Sequence, residues 1–203
     1  PLLYQVAMAG LSPADIAVPI RSLLSDHKRC RVLQGEVQAV DFARQVAVAD
    51  FDEVPYDYLL LACGARHSYF GHEDWEVYAP GLKTIEQATE IRRRVLHAFE
   101  VAERTDEKDF RRRQMTVVVV GCGPTGVELA GAIGEMSRFT LARDFRNIDS
   151  KQARVFLVEA ADRILPMFSR ESASRAVRDL EHLGVQVWTG SKVTDINEMG
   201  VQI

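Results

Sequence analysis

Three glycines, Gly121, Gly123 and Gly126, follow the apolar run TVVVV with the spacing Gly-x-Gly-x-x-Gly. The residues after them, VELAGAIGEM, have the apolar periodicity of a helix. Between a strand and a helix, the first glycine allows a tight turn, the second lets the backbone approach a diphosphate, and the third lets the helix pack on the strand. The N–H groups at the helix start also favour a phosphate. The pattern therefore predicts that this turn, including Pro124 and Thr125, binds a dinucleotide.

A second candidate is Glu159, which directly follows the apolar run RVFLV. At the tip of the second strand of such a fold, an acid accepts hydrogen bonds from the adenosine ribose. That acid usually lies about 20 residues on, whereas the polar insertion MSRFTLARDFRNIDSKQ places Glu159 further away. The residues alone therefore leave two interpretations open for Glu159, a ribose-binding acid or a solvent-facing glutamate. A purely structural glycine turn also stays open.

Composition and charge narrow the class of protein. The 203 residues are 47% hydrophobic and 27% charged, with a net charge of −4, which is typical of a soluble globular protein. Basic residues are interleaved with acidic ones, so the sequence does not predict nucleic-acid binding. The cysteines and histidines have no metal-ligand spacing, and Cys30, Cys63 and Cys122 are predicted to be reduced thiols.

The order of the predicted elements is that of an α/β protein. Short apolar or alternating runs predict three strands between residues 31 and 64. The last of these, in YDYLLLACG, is continuously apolar, which predicts a central strand buried on both faces. A capping box at Thr84 and Gln87 predicts the start of a long amphipathic helix. Beyond the glycine turn, the sequence predicts the strand ARVFLVEA, a helix ended by Gly184, and strands in VQVWTG and KVTDI.

Five segments together resemble the type II, non-proton-pumping NADH:quinone oxidoreductases, within the two-dinucleotide-binding flavoprotein superfamily. They are PLLYQVAMAGLSPADIAVPIR, YDYLLLACGARHSYFG, VVVVGCGPTGVELAGAIGEM, LARDFRNID and VFLVEAADRILPMF. The resemblance covers essentially the whole chain. Family members are similar in the insertion LARDFRNID, which accounts for the long separation between the glycine turn and Glu159.

The resemblance implies the fold and its division into domains. Residues 80–203 are expected to form a Rossmann-like NADH-binding domain, with a parallel sheet, helices and a β-meander, truncated at its C-terminal end. Residues 1–79 are expected to be a remnant of an FAD-binding domain, and an aromatic and glycine-rich loop places the boundary near Pro80. The chain would then be an internal piece of a longer protein.

The resemblance also implies the chemistry. In such enzymes NADH passes a hydride to FAD and the flavin reduces a quinone, so the cofactors carry the reaction. It implies that NADH binds at Gly121, Gly123, Pro124, Thr125, Gly126 and Glu159, and FAD at Ala62 and Gly64. Glu128 matches a family glutamate near the nicotinamide, which implies a catalytic role in positioning or proton supply. Cys63 stands where the family usually has threonine, which removes a hydroxyl donor.

Partners and location follow from the same resemblance. It implies a quinone acceptor, allows a homodimer, and implies a cytoplasmic protein held peripherally on the inner face of the cell membrane through a C-terminal region outside this chain. These residues alone are not expected to retain FAD or to be active. Two alternatives stay open: a reductase of the same superfamily with a ferredoxin-type, disulfide or peroxide acceptor, and a non-enzymatic dinucleotide-binding sensor.

Overall fold

The computed structural model describes residues 2–203, which pack into two units. The larger unit comprises residues up to Ile16 together with Arg66–Ile203, and the smaller unit comprises Ala17–Ala65. The assignment of residues 1–79 to an FAD-binding domain and of residues 80–203 to an NADH-binding domain stays a prediction.

Within residues 2–203 the α-helices are, in chain order, α1 (Leu3–Ala7), α2 (Pro13–Ile16), α3 (Ile20–Leu23), α4 (Ile85–Glu103), α5 (Lys108–Gln114), α6 (Pro124–Glu135) and α7 (Arg170–His182). Over the same residues the strands are β1 (Val37–Asp41), β2 (Val46–Ala49), β3 (Glu53–Pro55), β4 (Thr116–Val120), β5 (Arg154–Val158), β6 (Val185–Trp188), β7 (Asp195–Asn197) and β8 (Gly200–Gln202). A short π-helical segment, Met136–Thr140, extends α6.

A parallel sheet in the order β4-β5-β6 forms the centre of the larger unit. Its buried residues include Val119, Leu157 and Val185, and α6 and α7 pack against these strands. Strand β4 leads into α6 through the glycine turn, and α7 connects β5 to β6. The predicted strand, turn and helix order is therefore confirmed, and so is the α/β class. Strands β7 and β8 form a separate antiparallel pair.

Helix α4 matches its predicted amphipathic pattern. The hydroxyl oxygen of Thr84 accepts a hydrogen bond from the backbone N–H of Gln87 at 3.2 Å, which caps the first turn. The buried side chains recur at three- and four-residue steps, and they are Ala88, Ile91, Val95, Phe99 and Ala102. This face packs against α1 within the larger unit, so the helix is held by its apolar stripe.

One carboxylate anchors the insertion that separates α6 from β5. Glu103, at the end of α4, accepts hydrogen bonds from the backbone N–H groups of Arg146, Asn147 and Ile148, with N···O distances of 3.0, 3.0 and 3.2 Å. The side-chain amide of Asn147 also donates to the Glu103 carbonyl at 3.2 Å. The insertion that lengthens the path to Glu159 is therefore fixed to the body of the larger unit.

We expect Glu103→Gln to lower the free energy of unfolding at neutral pH. Desolvation raises the pKa of Glu103, but the three backbone N–H donors and the charge of Arg111 outweigh it and hold the pKa below the ordinary 4.5. A carboxyl group with a lowered pKa stabilises the fold above its unfolded pKa, and this contribution is lost as the pH falls through the folded pKa.

Denaturant titrations of the wild type and Glu103→Gln should therefore differ most near pH ~7 and converge as the pH falls below about 4.5. Glu100→Gln, on the exposed side of the same helix, is the matched control and should change little at either pH. A difference for Glu103→Gln that persists undiminished at pH ~2 would contradict the assignment of the stabilisation to the ionised carboxylate.

The smaller unit contains an antiparallel sheet in the order β1-β2-β3. In its register Val40 lies opposite Ala47, and Ala47 lies opposite Val54. The first two strands were expected from the alternating sequence, whereas β3 was not. Val46 is 8% exposed, but most large apolar side chains of Ala17–Ala65 lie open to solvent.

The prediction of a buried central strand at residues 58–62 is wrong for this structure. These residues form no strand, and the Tyr58 and Leu60 side chains are 97% and 89% exposed. A continuously apolar strand requires neighbours that pair with its backbone and cover both of its faces. In the part of the smaller unit that the structure describes, β1, β2 and β3 pair with one another. Residues 58–62 therefore have no neighbouring strand with which to form backbone hydrogen bonds.

Candidate functional site

The glycine turn between β4 and α6 has the backbone geometry that its spacing predicts. Gly121 has a φ of +97°, a conformation that L side chains rarely adopt. A Cβ atom on Gly126 would lie 1.9 Å from the Gly121 carbonyl oxygen, so the helix packs on the turn through a bare backbone. A Cβ on Gly123 would instead meet no atom within 4 Å. The second glycine thus borders open space, where a ligand can approach the backbone.

Helix α6 begins at this open space. Gly123 is its N-cap and has no side chain to cap it, and Pro124 occupies the first helical position. The N–H groups of Thr125 and Gly126 therefore have no intrahelical carbonyl partner. The exposed residues here include Pro124, Thr125 and Glu128. Pro124 and Glu128 are four residues apart and so lie on the same face of the helix. The helix start can accept an anion, and Glu128 lies one turn further along.

The Glu159 carboxylate is hydrogen-bonded to the glycine turn. Its Oε2 accepts a hydrogen bond from the Cys122 backbone N–H at 2.8 Å, and its Oε1 accepts one from the Ala161 N–H at 2.9 Å. The residue is half-buried, so the alternative of a glutamate simply facing solvent does not describe it. Each carboxylate oxygen has two lone pairs, which leaves capacity to accept a ribose hydroxyl. The insertion notwithstanding, the carboxylate reaches the turn.

The side chain of Cys122 points into the protein. It is 0% exposed, and burial, followed by the negative charge of Glu159, raises the pKa of its thiol to about 12. Because the thiolate is the reactive form of cysteine, Cys122 is a packing residue of the turn at neutral pH.

The sequence did not indicate the role of the loop between β5 and α7. The Leu165 backbone N–H donates to the Cys122 carbonyl oxygen at 2.9 Å, and Leu165 has a φ of +48°. A leucine before a proline is expected to be extended, so no residue-type signal marks this position. Both backbone polar groups of Cys122 are thus bound by residues that follow β5.

The two residues predicted to contact FAD lie in the smaller unit. Ala62 and Gly64 are exposed and belong to no strand, and Gly64 has a φ of +71° with open space around a notional Cβ. Within the described residues, this segment does not form an enclosed flavin site. The larger unit, by contrast, brings Glu159 together with the glycine turn.

The arrangement defines a class of protein. A parallel sheet, a Gly-x-Gly-x-x-Gly turn at the carboxyl end of one strand, a helix starting at that turn and an acid at the end of the neighbouring strand form a Rossmann-type dinucleotide-binding domain.

The chain belongs to the pyridine nucleotide-disulphide oxidoreductase family, whose family model matches residues 1–203. Two relatives from Mycobacterium tuberculosis, named type II NADH:quinone oxidoreductase Ndh and NdhA, are 43% and 44% identical over 100% of this chain. The chain spans 45% and 44% of their lengths. The resemblance to type II enzymes seen in the sequence is confirmed by these relatives.

A solved structure shows the same fold. The structure of NDH2 from Plasmodium falciparum in complex with NADH superposes with a TM-score of 0.83 and 24% sequence identity, covering 98% of this chain and 42% of that chain. The Rossmann-like arrangement predicted from the sequence is therefore confirmed at the level of the fold.

Proposed function

We propose that the full-length protein containing these residues is an FAD-dependent NADH dehydrogenase that reduces a quinone, and that this chain supplies its NADH-binding part. One observation carries the proposal. The Glu159 carboxylate accepts a hydrogen bond from the glycine turn, beside the open space at Gly123. The two relatives named type II NADH:quinone oxidoreductase support the choice of donor and acceptor.

In this proposal the NADH diphosphate lies over Gly123 at the start of α6. There the N–H groups of the first turn and the partial positive charge of the helix stabilise it. Glu159 accepts hydrogen bonds from the adenosine ribose, and its bonds to Cys122 and Ala161 fix its orientation. Glu128, exposed on the first turns of α6, positions the nicotinamide end or supplies a proton.

The flavin, when bound in the full-length protein, would accept the hydride and pass electrons on. Ala62 and Gly64 are proposed to contact it once the rest of the protein covers the smaller unit, and their exposure here fits an incomplete site. Among residues 2–203, no helix is long and apolar enough to cross a bilayer. Peripheral attachment to the inner face of the cell membrane and a homodimer remain proposals.

The acceptor is tested by steady-state NADH oxidation by the full-length protein. We expect rapid oxidation with a soluble quinone, and little with ferredoxin, disulfide or peroxide acceptors at equal concentration. Preferential use of one of those acceptors would replace the quinone in the proposal. Binding of NADH without oxidation by any acceptor would favour a dinucleotide sensor.

We expect the 203-residue polypeptide alone to lack NADH dehydrogenase activity, because its described residues leave the segment with Ala62 and Gly64 exposed. The purified polypeptide should be colourless, and NADH absorbance should not fall when quinone is added. The full-length protein, assayed in parallel, is the positive control. A yellow polypeptide that turns over at about 10 per second, a typical enzyme rate, would contradict the expectation.

A further inference from the structure

The phosphate-binding turn depends on hydrogen bonds from outside itself. Two of its first three residues, Gly121 and Gly123, have no side chain to pack, and glycine backbone has more conformational freedom than any other residue. Between them, the Cys122 N–H donates to Glu159 and the Cys122 carbonyl accepts from the Leu165 N–H at 2.9 Å. The turn is therefore held both by the hydrogen bond from the Gly121 N–H to the Val158 carbonyl of β5 and by residues that follow β5.

Leu165 itself has an unusual backbone. Its φ of +48° is rare for a residue other than glycine, so the surrounding contacts must maintain it. Its side chain is only 9% exposed, so packing against the protein interior holds Leu165 itself in place. The three residues that follow in the chain, Pro166, Met167 and Phe168, are exposed. Burial therefore does little to hold them in place.

Arg163 supplies the missing restraint. Its guanidinium donates to the carbonyl oxygens of both Pro166 and Phe168, and the Phe168 N–H donates to the Leu165 carbonyl at 2.9 Å. These bonds close a four-residue turn, residues 165–168. A planar guanidinium can bridge two carbonyls at once, which a lysine ammonium on its flexible stem does less well.

We propose that Arg163 is a positioning residue for NADH: by closing the turn at residues 165–168 it keeps the Leu165 N–H on the Cys122 carbonyl and so preorganises the phosphate-binding turn. The inference rests on the proposed function, because it concerns the same NADH site. Arg163 acts through the backbone and not by contact with the nucleotide. Without Arg163 the phosphate-binding turn is less ordered before NADH binds. The free energy needed to order the turn on binding then lowers the affinity for NADH.

The test uses Arg163→Lys and Arg163→Met in the full-length protein, with KM and kcat measured for NADH and for NADPH. We expect both variants to raise KM about threefold to tenfold, the range that one intramolecular hydrogen bond is worth, with kcat at saturation retained. Because Arg163 is proposed to act through the backbone of its own loop, the preference for NADH over NADPH should stay the same. Arg175→Met, which removes an exposed arginine from α7, is the matched control and should leave KM unchanged.

Two outcomes would overturn the positioning role. One is an unchanged KM in both variants. The other is a normal Arg163→Lys with a defective Arg163→Met that loses NADPH more than NADH, because that pattern would mean the charge reads a phosphate. If wild-type protein fails to bind NADH, the proposed function fails instead, and the two failures are distinct.

Hydrogen exchange provides a readout that does not depend on turnover. In Arg163→Lys, the Leu165 amide should exchange faster than in the wild type, while the amides of β5 keep their protection. Wild-type protection at Leu165 in that variant would show that its bond to Cys122 does not need Arg163, and would also overturn the inference.

Discussion

Gly123→Val should abolish NADH binding while the chain stays folded. A Cβ at Gly123 meets no protein atom within 4 Å, so the branched side chain costs the fold little. The same side chain fills the space above the start of α6 that the diphosphate is proposed to occupy. Loss of two charge-assisted hydrogen bonds, at about 1.5–3 kcal/mol each, corresponds to at least about a hundredfold weaker binding.

Calorimetry with NADH and circular dichroism of the same samples check this result. Gly131→Ala, in the same helix with ordinary contacts around its Cβ, should bind NADH as the wild type does. Gly126→Ala should instead damage the fold, because its Cβ would lie 1.9 Å from the Gly121 carbonyl oxygen. Wild-type affinity in Gly123→Val would remove the glycine turn from the NADH site.

The full-length enzyme should prefer NADH to NADPH by at least an order of magnitude. If Glu159 accepts hydrogen bonds from the ribose, a 2′-phosphate would bring like charges close to its carboxylate. At about 4 Å and an effective dielectric of about 20, each pair costs roughly 4 kcal/mol before screening. Because a phosphate carries nearly two charges, a quarter of the summed cost is about 2 kcal/mol, which corresponds to more than tenfold weaker binding of NADPH. Arg163 does little to offset this, because its guanidinium donates to the carbonyls of Pro166 and Phe168.

Glu159→Gln should relax the discrimination mainly by improving the use of NADPH. Its amide oxygen can still accept from the Cys122 N–H, which Glu159 binds at 2.8 Å, so the turn retains that contact. The measurement is the ratio of kcat/KM for the two cofactors in each protein. Equal use of both by the wild type, or an unchanged ratio in Glu159→Gln, would show that another residue reads the ribose.

Local signals in the sequence predicted the strand, turn and helix order around the parallel sheet of the larger unit. The glycine spacing, the capping box at Thr84 and the apolar runs of β4 and β5 each depend on residues close together in the chain. The same signals marked Glu159 as a candidate, and its hydrogen bond to the Cys122 N–H places it beside the glycine turn. Its long separation from the turn could be interpreted from the family resemblance, and the structure adds the contact through which Glu103 anchors the insertion.

The structural features that the sequence did not predict depend on contacts between residues far apart in the chain. The apolar run at residues 58–62 has the composition of a buried strand, but strand formation requires partners, and the described smaller unit leaves it exposed. The contact from Leu165 to Cys122 is a backbone hydrogen bond at a positive φ, which a leucine does not signal. The sequence likewise does not show that the Arg163 guanidinium donates to two carbonyls of its own loop.

We propose that NADH, held at the glycine turn, reduces a flavin in the full-length protein. Mixing that protein with NADH in the absence of oxygen and following the visible absorbance of the flavin measures this step. We expect the flavin bands to bleach rapidly with NADH, much more slowly with NADPH, and hardly at all in Gly123→Val. Absence of flavin bands in the purified protein, or bands that NADH leaves unchanged, would contradict hydride transfer from NADH to a bound flavin.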